Sequence, residues 1–155
     1  MALPAIAPYF MPVAAELPRN KISWTPEPKR CVLLIHDMQR YFLAPFPPPV
    51  RDPLVRNCAA LQERCAALDV PVFFTAQPGG MTEQQRGLLK DFWGVGMKVD
   101  PLDCQIVDEL APRPADRVLT KWRYSAFHRS DLLVQMQEQG RDRAMIRTCG
   151  WSSAR

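Results

Sequence analysis

The chain has 155 residues, of which 47% are hydrophobic and 23% charged, as is typical of one globular domain with its own core. The formal net charge of +4 comes from no cluster of Lys and Arg, which argues against nucleic-acid binding and suits a small anionic substrate. No apolar run approaches the length of a membrane span, and the five cysteines form no C-x-x-C pair, which argues against a zinc site or a disulfide framework. We therefore expect a cytoplasmic protein without a metal site.

The first segment and the first strand are separated by a polar lead-in. Residues 1–17 are apolar, are interrupted by Pro4, Pro8 and Pro12, and lack the basic start of a signal peptide. We expect them to form an extended arm over the surface. Residues 32–35 are apolar without a break, and such a short run predicts a strand that is buried on both faces.

A proline-rich stretch and a long helix are predicted next. The cluster of Pro45, Pro47, Pro48 and Pro49 predicts a loop without regular structure. Apolar residues and thiols then recur at steps of four and three, which is one face of an amphipathic helix. That face consists of Leu54, Cys58, Leu61, Cys65 and Leu68. Residues 70–76 are β-branched and aromatic and predict the second strand.

Two helices and a strand are predicted between residues 82 and 120. Thr82 followed by Gln85 has the form of a capping box and predicts a helix that ends near Gly94. Asp100 and Pro101 begin a second helix. The predicted apolar face of that second helix is Leu102, Ile106, Val107 and Leu110. Residues 118–120 form a short third strand.

The last predicted elements complete an alternation of strands and helices. Ser130 is placed to cap a helix that carries Leu132, Leu133 and Met136 and ends at Gly140, and residues 144–146 begin a fourth strand. The order β-α-β-α-α-β-α-β favours a parallel sheet with right-handed crossovers. Neither G-x-G-x-x-G nor a P-loop occurs, so nucleotide binding is not supported.

A polar residue follows each of three predicted strands. Asp37, Gln77 and Lys121 each follow a strand, and the carboxyl ends of parallel strands share one edge of the sheet. Each has an ordinary alternative: Asp37 as a helix cap, Gln77 as a turn residue and Lys121 as a surface lysine. Together, with an acid and a base among them, the three predict a site at that edge.

Four segments carry a resemblance to a known family. They are residues 34–39 (LIHDMQ), 75–78 (TAQP), 88–94 (LLKDFWG) and 121–127 (KWRYSAF). In this order they resemble the isochorismatase branch of the cysteine-hydrolase-like superfamily, over roughly residues 1–143. The resemblance implies a three-layer α/β/α fold with a central parallel sheet. It also implies hydrolysis of the enolpyruvyl ether of isochorismate to pyruvate and 2,3-dihydro-2,3-dihydroxybenzoate in siderophore biosynthesis. A sister group cleaves 2-amino-2-deoxyisochorismate in phenazine biosynthesis.

The resemblance also implies roles for individual residues. Asp37 and Lys121 match the Asp and Lys of the superfamily's catalytic triad, whose nucleophilic Cys is lacking in the vinyl-ether hydrolases. Gln77 and Arg86 resemble substrate contacts. The apolar and aromatic wall matches Phe42, Trp93 and Tyr124. A homodimer and a carrier-protein partner in the pathway both remain open.

The chemistry of a vinyl ether supports the assignment of Asp37 independently. Protonation of the terminal methylene carbon leaves an oxocarbenium ion that water captures, so the reaction needs one general acid and neither a nucleophile nor a cofactor. Burial near Phe42 and Trp93 and the substrate's carboxylates favour the protonated acid, whereas Lys121 favours the carboxylate. His36 is the alternative acid. We expect it to be a structural hydrogen-bonding residue, because neighbours on a strand face opposite ways.

The resemblance ends after Arg143. We expect residues 1–143 to form an incomplete hydrolase domain and residues 144–155 to be a divergent tail, with the last strands of the sheet missing and the chain unstable as a result. Two other functions stay open. One is an amidohydrolase that uses Cys149, although the superfamily's nucleophile lies farther along the chain. The other is an inactive truncated product or a non-catalytic binding partner.

Overall fold

A parallel sheet between helices forms the centre of the molecule in the computed structural model, which describes residues 3–19, 21–22 and 25–149. Its strands are β1 (Cys31–His36), β2 (Val72–Ala76), β3 (Arg117–Thr120) and β4 (Arg143–Thr148). The helices are α1 (Arg40–Leu43), α2 (Pro48–Ala67), α3 (Glu83–Arg86), α4 (Leu89–Trp93), α5 (Pro101–Cys104) and α6 (Leu132–Glu138). In the described residues the strand order is β3-β2-β1-β4 and every pair is parallel. The predicted α/β class with a central parallel sheet is confirmed.

The two faces of the sheet pack against different helices. Successive strand residues point to opposite faces, so the apolar run of β1 divides between two cores. Leu33 and Ile35 lie in the core that α2 covers, whereas Val32 and Leu34 lie in the smaller core that α6 covers. A strand covered on both faces has to be apolar throughout, which explains why residues 32–35 carry no polar side chain.

The proline-rich stretch begins a helix, so the predicted loop there is wrong. Pro47 is the N-cap of α2, and Pro48 and Pro49 occupy its first positions. Proline is tolerated there because the first amide groups of a helix have no acceptor within the helix, and because its fixed φ suits the helix.

The buried face of α2 differs in part from the predicted one. The predicted residues that are buried are Leu54, Cys58 and Cys65. Leu61 and Leu68 are exposed by 40% and 39%. Gln62 is buried instead, and its Nε2 donates to Asp116 Oδ2 at 2.8 Å. A polar residue that finds a partner inside the protein therefore occupies a place that the apolar pattern assigned to leucine.

The helix predicted from Thr82 to Gly94 is broken into two. The capping box forms, with Thr82 Oγ1 accepting from the Gln85 N–H at 3.2 Å and Gln85 Oε1 accepting from the Thr82 N–H at 2.9 Å. The chain then leaves the helix at Gly87, whose φ is +49°, and α4 follows. A Cβ at Gly87 would lie 2.9 Å from Arg123 Nη2, so glycine serves both the turn and the close approach.

The next predicted helix is also shorter than expected. Asp100 caps α5, with its Oδ1 accepting from the Leu102 N–H at 2.8 Å, but α5 is only one turn long. Ile106 instead forms an antiparallel bridge with Gln39, just beyond β1. This tertiary pairing outweighs the helical spacing of the apolar residues, of which Leu110 alone is fully buried.

The last helix and strand lie close to their predicted places. Ser130 Oγ accepts from the Leu132 N–H at 3.4 Å, although Asp131 is the residue next to the helix. Leu133 is 52% exposed and does not belong to the buried face. β4 pairs with β1 along its whole length, so the sheet continues past residue 143, the predicted end of the domain. The divergent tail stays a prediction, and residues 150–155 lie outside the described part of the chain.

The first segment lies against the domain without joining the sheet. Between residues 3 and 19 the regular structure is a 3-10 turn at Ala14–Glu16, in agreement with an extended arm. The Ile6 N–H donates to the Pro45 carbonyl at 3.0 Å, and Leu3 reaches the cavity described below. No helix in the described part of the chain is long and apolar enough to cross a membrane.

Candidate active site

The carboxyl ends of the strands surround a cavity of about 220 Å³. Every residue that the sequence assigned to the site lines it: Asp37, Phe42, Gln77, Arg86, Trp93, Lys121 and Tyr124. The predicted convergence of three strand ends on one crevice therefore occurs in the structure. The cavity is also lined by His36, the alternative acid, and by Cys149, the nucleophile of the amidohydrolase alternative. The lining side chains with no predicted role at the site are Leu3, Tyr41, Leu89, Met97 and Thr148.

Asp37 faces Lys121 at the end of β1. Its backbone is left-handed, with a φ of +56°, a conformation that Asp tolerates better than most residues and that is common at functional sites. Lys121 Nζ donates to Asp37 Oδ2, and both side chains are buried. The following helix, α1, has Gln39 as its N-cap, so Asp37 does not serve as the helix cap that was its ordinary alternative.

His36 also lines the cavity, which differs from the expectation that it faces away from Asp37. The alternation of a strand stops where the backbone of Asp37 becomes left-handed, so both side chains lie on the same side. His36 Nδ1 is 2.9 Å from Thr75 Oγ1, and Nε2 is 3.8 Å from Asp37 Oδ2. Burial lowers the pKa of His36 and outweighs the opposing effect of Asp37, so the ring is neutral at pH 7. Hydrogen bonding to Thr75 agrees with the structural role expected of His36.

Gln77 is held in place by a residue that the sequence analysis did not select. Gln39 is fully buried, and its Oε1 accepts from the Gln77 N–H at 2.7 Å. Its Nε2 donates to the carbonyls of Gln77 at 2.9 Å and Cys104 at 2.7 Å. One amide side chain thus satisfies both main-chain groups of Gln77 and fixes the end of β2. The only signal in the sequence is a polar residue shortly after a buried strand.

Arg86 is a buried cation whose hydrogen bonds go to main-chain carbonyls. Nε and Nη2 donate to the Gly94 carbonyl at 3.2 and 3.0 Å, and Nη2 also donates to the Leu89 carbonyl at 3.4 Å. Burial lowers the pKa of the guanidinium. Gly96 has a φ of +76°, and a Cβ there would lie 2.7 Å from Arg86 Cζ. The loop after α4 therefore holds the guanidinium against the cavity without neutralising its charge.

Aromatic side chains form one wall and the mouth of the cavity. Phe42 packs edge-to-face on Tyr41, with ring centroids 5.2 Å apart. Trp93 Nε1 donates to the Tyr124 hydroxyl at 2.7 Å. Tyr124 is 64% exposed, so this pair lies where the cavity opens to solvent. A wall of this kind excludes water and strengthens the electrostatic interactions of the charged groups inside.

Cys149 follows β4 and lies in the same cavity. It is buried, and its thiol donates to the Asp37 carbonyl at 3.4 Å. Burial, with a smaller contribution from Asp37, raises the pKa of Cys149 from 9.0 to about 12. The thiolate is the nucleophilic form of cysteine, so this environment does not activate it. Among residues 3–19, 21–22 and 25–149, no group of three or more His, Cys, Asp or Glu is placed to hold a metal ion.

The arrangement suits acid catalysis on an anion. It combines a carboxyl group paired with a lysine, a second buried cation and an apolar wall within one cavity. General acid catalysis needs a positioned proton donor, whereas nucleophilic catalysis needs an activated nucleophile. The described side chains supply the first more clearly than the second.

Comparisons with known proteins agree with this description. A family model for the isochorismatase domain matches residues 31–151. The phenazine biosynthesis protein PhzD of Pseudomonas fluorescens is 54% identical over 148 residues, which cover 96% of this chain and 70% of that protein. The isochorismatase of Bacillus subtilis is 51% identical over 149 residues, which cover 94% and 47%. An isochorismatase family protein of Burkholderia thailandensis has a TM-score of 0.69 at 24% identity, over 80% of this chain and 66% of that one. The chain belongs to the isochorismatase family.

Proposed function

We propose that the chain hydrolyses the enolpyruvyl ether of isochorismate to pyruvate and 2,3-dihydro-2,3-dihydroxybenzoate. The observation that carries this proposal is the buried pair of Asp37 and Lys121 at the end of β1, in a cavity that also holds Arg86. The names of relatives that are 43% to 55% identical support the substrate class.

Asp37 is the general acid in this proposal. Its carboxyl proton goes to the terminal methylene carbon, the alkene electron pair forms the new C–H bond, and the O–H electron pair stays on the carboxylate. Water then adds to the oxocarbenium carbon and returns a proton to Asp37, and the hemiketal collapses to pyruvate and the alcohol. The cycle consumes one water and leaves the acid protonated again. One well-placed acid is therefore sufficient for catalysis.

Two cations receive the substrate's carboxylates. Arg86 is fixed by carbonyl groups and keeps its charge, so its planar guanidinium is suited to bind a carboxylate. Lys121 contacts Asp37 and also lines the cavity, so it acts on both the acid and the substrate. Binding the anion beside Asp37 favours the protonated acid, because a second negative charge nearby disfavours the carboxylate.

The 2-amino analogue of isochorismate is a second candidate substrate. The identity of 54% to PhzD, a phenazine biosynthesis protein, is the observation that favours it. The two substrates differ by a hydroxyl and an amino group. Gln77 has both a carbonyl oxygen and an NH₂ group, so its side chain is able to bond either one. The ratio of kcat/KM for the two substrates decides between them.

We also propose two assemblies for this chain, a complex with a carrier protein and a homodimer. The name of the relative in Escherichia coli, a component of enterobactin synthase, suggests a carrier-protein partner for this chain. A homodimer is the other assembly that we propose. Size-exclusion chromatography with light scattering, with and without a carrier domain, tests both.

The decisive experiment measures pyruvate release by the 155-residue chain. We expect turnover of isochorismate by the parent and a loss of about 10²- to 10⁴-fold in Asp37→Asn, the usual contribution of a general acid. Thermal unfolding and isochorismate binding by the variant should match the parent. Release by the variant at a near-parental rate would refute Asp37 as the acid. A folded parent that releases no pyruvate from either substrate would favour the inactive or binding-only alternatives.

A further inference from the structure

Thr75 touches both side chains at the end of β1. It pairs with His36 in the register of β2 on β1 and is only 1% exposed. Its Oγ1 lies 2.9 Å from His36 Nδ1 and 3.3 Å from Asp37 Oδ1. The Asp37 N–H is shared between the Thr75 carbonyl at 3.2 Å and Oγ1 at 3.3 Å. The hydroxyl thus has more neighbours than it has protons.

The single hydroxyl proton of Thr75 can be donated either to Asp37 Oδ1 or to His36 Nδ1, but not to both. A threonine hydroxyl has one proton and two lone pairs, and the Asp37 N–H already uses one lone pair. An ionised Oδ1 of Asp37 only accepts. Nδ1 of a neutral imidazole donates in one tautomer and accepts in the other. The direction of the bond between Thr75 and His36 therefore depends on where the Thr75 proton goes.

The arrangement that gives the proton to Asp37 leaves each oxygen of that carboxylate with a donor. If Thr75 donates to Oδ1, its remaining lone pair accepts from Nδ1–H of His36, and both contacts become hydrogen bonds. If Thr75 donates to Nδ1, Nε2–H of His36 is free to donate to the Tyr124 carbonyl, but Oδ1 of Asp37 receives nothing from Thr75. Donation to a carboxylate is also stronger than donation to a neutral nitrogen. Lys121 Nζ donates to the other oxygen, Oδ2, so each carboxylate oxygen of Asp37 then has its own hydrogen-bond donor.

We propose that Thr75 is a positioning residue that donates to Asp37 Oδ1 and holds His36 in the tautomer with its proton on Nδ1. Two consequences follow for the site. The donated bond stabilises the carboxylate that Asp37 becomes when it gives up its proton. Nε2 of His36 is left as an unprotonated acceptor, 3.8 Å from Asp37 Oδ2. The effect on turnover rests on the proposed function, whereas the tautomer does not.

The tautomer of His36 tests the proposal without any substrate. The chain has two histidines, so ring-¹⁵N-labelled protein gives few signals, and exposed His128 serves as an internal reference. At pH 7.5 we expect Nδ1–H for His36 in the parent and in Thr75→Ser. In Thr75→Val, which keeps the shape of the side chain, we expect a change toward Nε2–H. An Nε2–H tautomer in the parent, directed at the Tyr124 carbonyl beside the ring, overturns the proposal. So does an unchanged Nδ1–H tautomer in Thr75→Val.

Kinetics give a second readout on the same variants. We expect Thr75→Val to lower kcat about tenfold or more, as for the loss of a hydrogen bond to a charged group, with KM changed less than kcat. Thr75→Ser should restore kcat, and thermal unfolding shows whether each variant is folded. A folded Thr75→Val with parental kcat contradicts stabilisation of the carboxylate. If the parent has no turnover, the proposed function fails and the tautomer measurement alone decides the role of Thr75.

Discussion

β1 and β4 are neighbouring parallel strands of equal length that differ in how well they are covered. They pair residue by residue from Cys31 with Arg143 to His36 with Thr148. Residues 31–35 of β1 are all buried, whereas no residue of β4 is. β1 lies between two strands and two helical layers, while β4 has β1 as its one strand neighbour in the described chain. The burial of these two strands therefore depends on the strands and helices that cover them, because their lengths are the same.

The residues that follow these strands show a second difference. Asp37 directly follows β1, Cys149 directly follows β4, and both line the cavity. Asp37 accepts hydrogen bonds from Lys121 and Thr75. Cys149 donates to the Asp37 carbonyl, and burial raises its pKa to about 12. A strand end therefore brings a side chain to the site, but its hydrogen-bond partners decide what chemistry it performs.

Alanine substitutions at a paired position should give the largest contrast between the strands. Leu34 and Ile146 face each other in register, but Leu34 is 1% exposed and Ile146 61%. We expect Leu34→Ala to lower the free energy of unfolding by about 2–5 kcal/mol through lost burial and a cavity. Ile146→Ala should change it by about 0.5 kcal/mol or less, as at other exposed positions. Urea unfolding of both variants checks this, and equal losses would mean that β4 is covered in solution.

Alanine substitutions of the two cations of the site, Arg86 and Lys121, should change different kinetic constants. Arg86→Ala should raise KM about 10- to 100-fold with a smaller change in kcat, because a hydrogen bond to a charged group contributes about 1.5–3 kcal/mol. Lys121→Ala should lower kcat as well, because Lys121 contacts the proposed acid directly. Exposed Lys98 is a matched control, and Lys98→Ala should leave both constants unchanged. An unchanged KM in Arg86→Ala would contradict its role in binding.

The parts of the site that follow predicted strands were predictable from the sequence. β1 and β2 were located because buried strands carry unbroken apolar runs, and β3 from the shorter run at residues 118–120. Asp37, Gln77 and Lys121 were selected because polar residues follow those runs directly. The parallel order then required them to converge, and they do.

The supporting residues were not predictable, because their roles depend on contacts distant in sequence. Thr75 looks like an ordinary strand residue until His36 is placed beside it by the register. The role of Gln39 depends on the hydrogen bonds between its side-chain amide and the main chain of Gln77, which the sequence does not reveal. The early end of α5 has the same cause, since the bridge from Gln39 to Ile106 replaces the helix that the local pattern favours.

The smallest effect is expected at the thiol that follows β4. Cys149→Ser replaces the thiol with a hydroxyl that is also able to donate to the Asp37 carbonyl, so turnover and stability should equal those of the parent. Because burial raises the pKa of Cys149 from 9.0 to about 12, the thiol stays protonated in the native chain at pH 9. Iodoacetamide should therefore leave Cys149 unmodified in the native state at that pH. Unfolding exposes the thiol and returns its pKa to the ordinary value, so all five cysteines should then be labelled, as mass spectrometry would show. Rapid native labelling of Cys149, together with loss of turnover in Cys149→Ser, would instead favour the amidohydrolase alternative, in which both strand ends take a direct part in the chemistry.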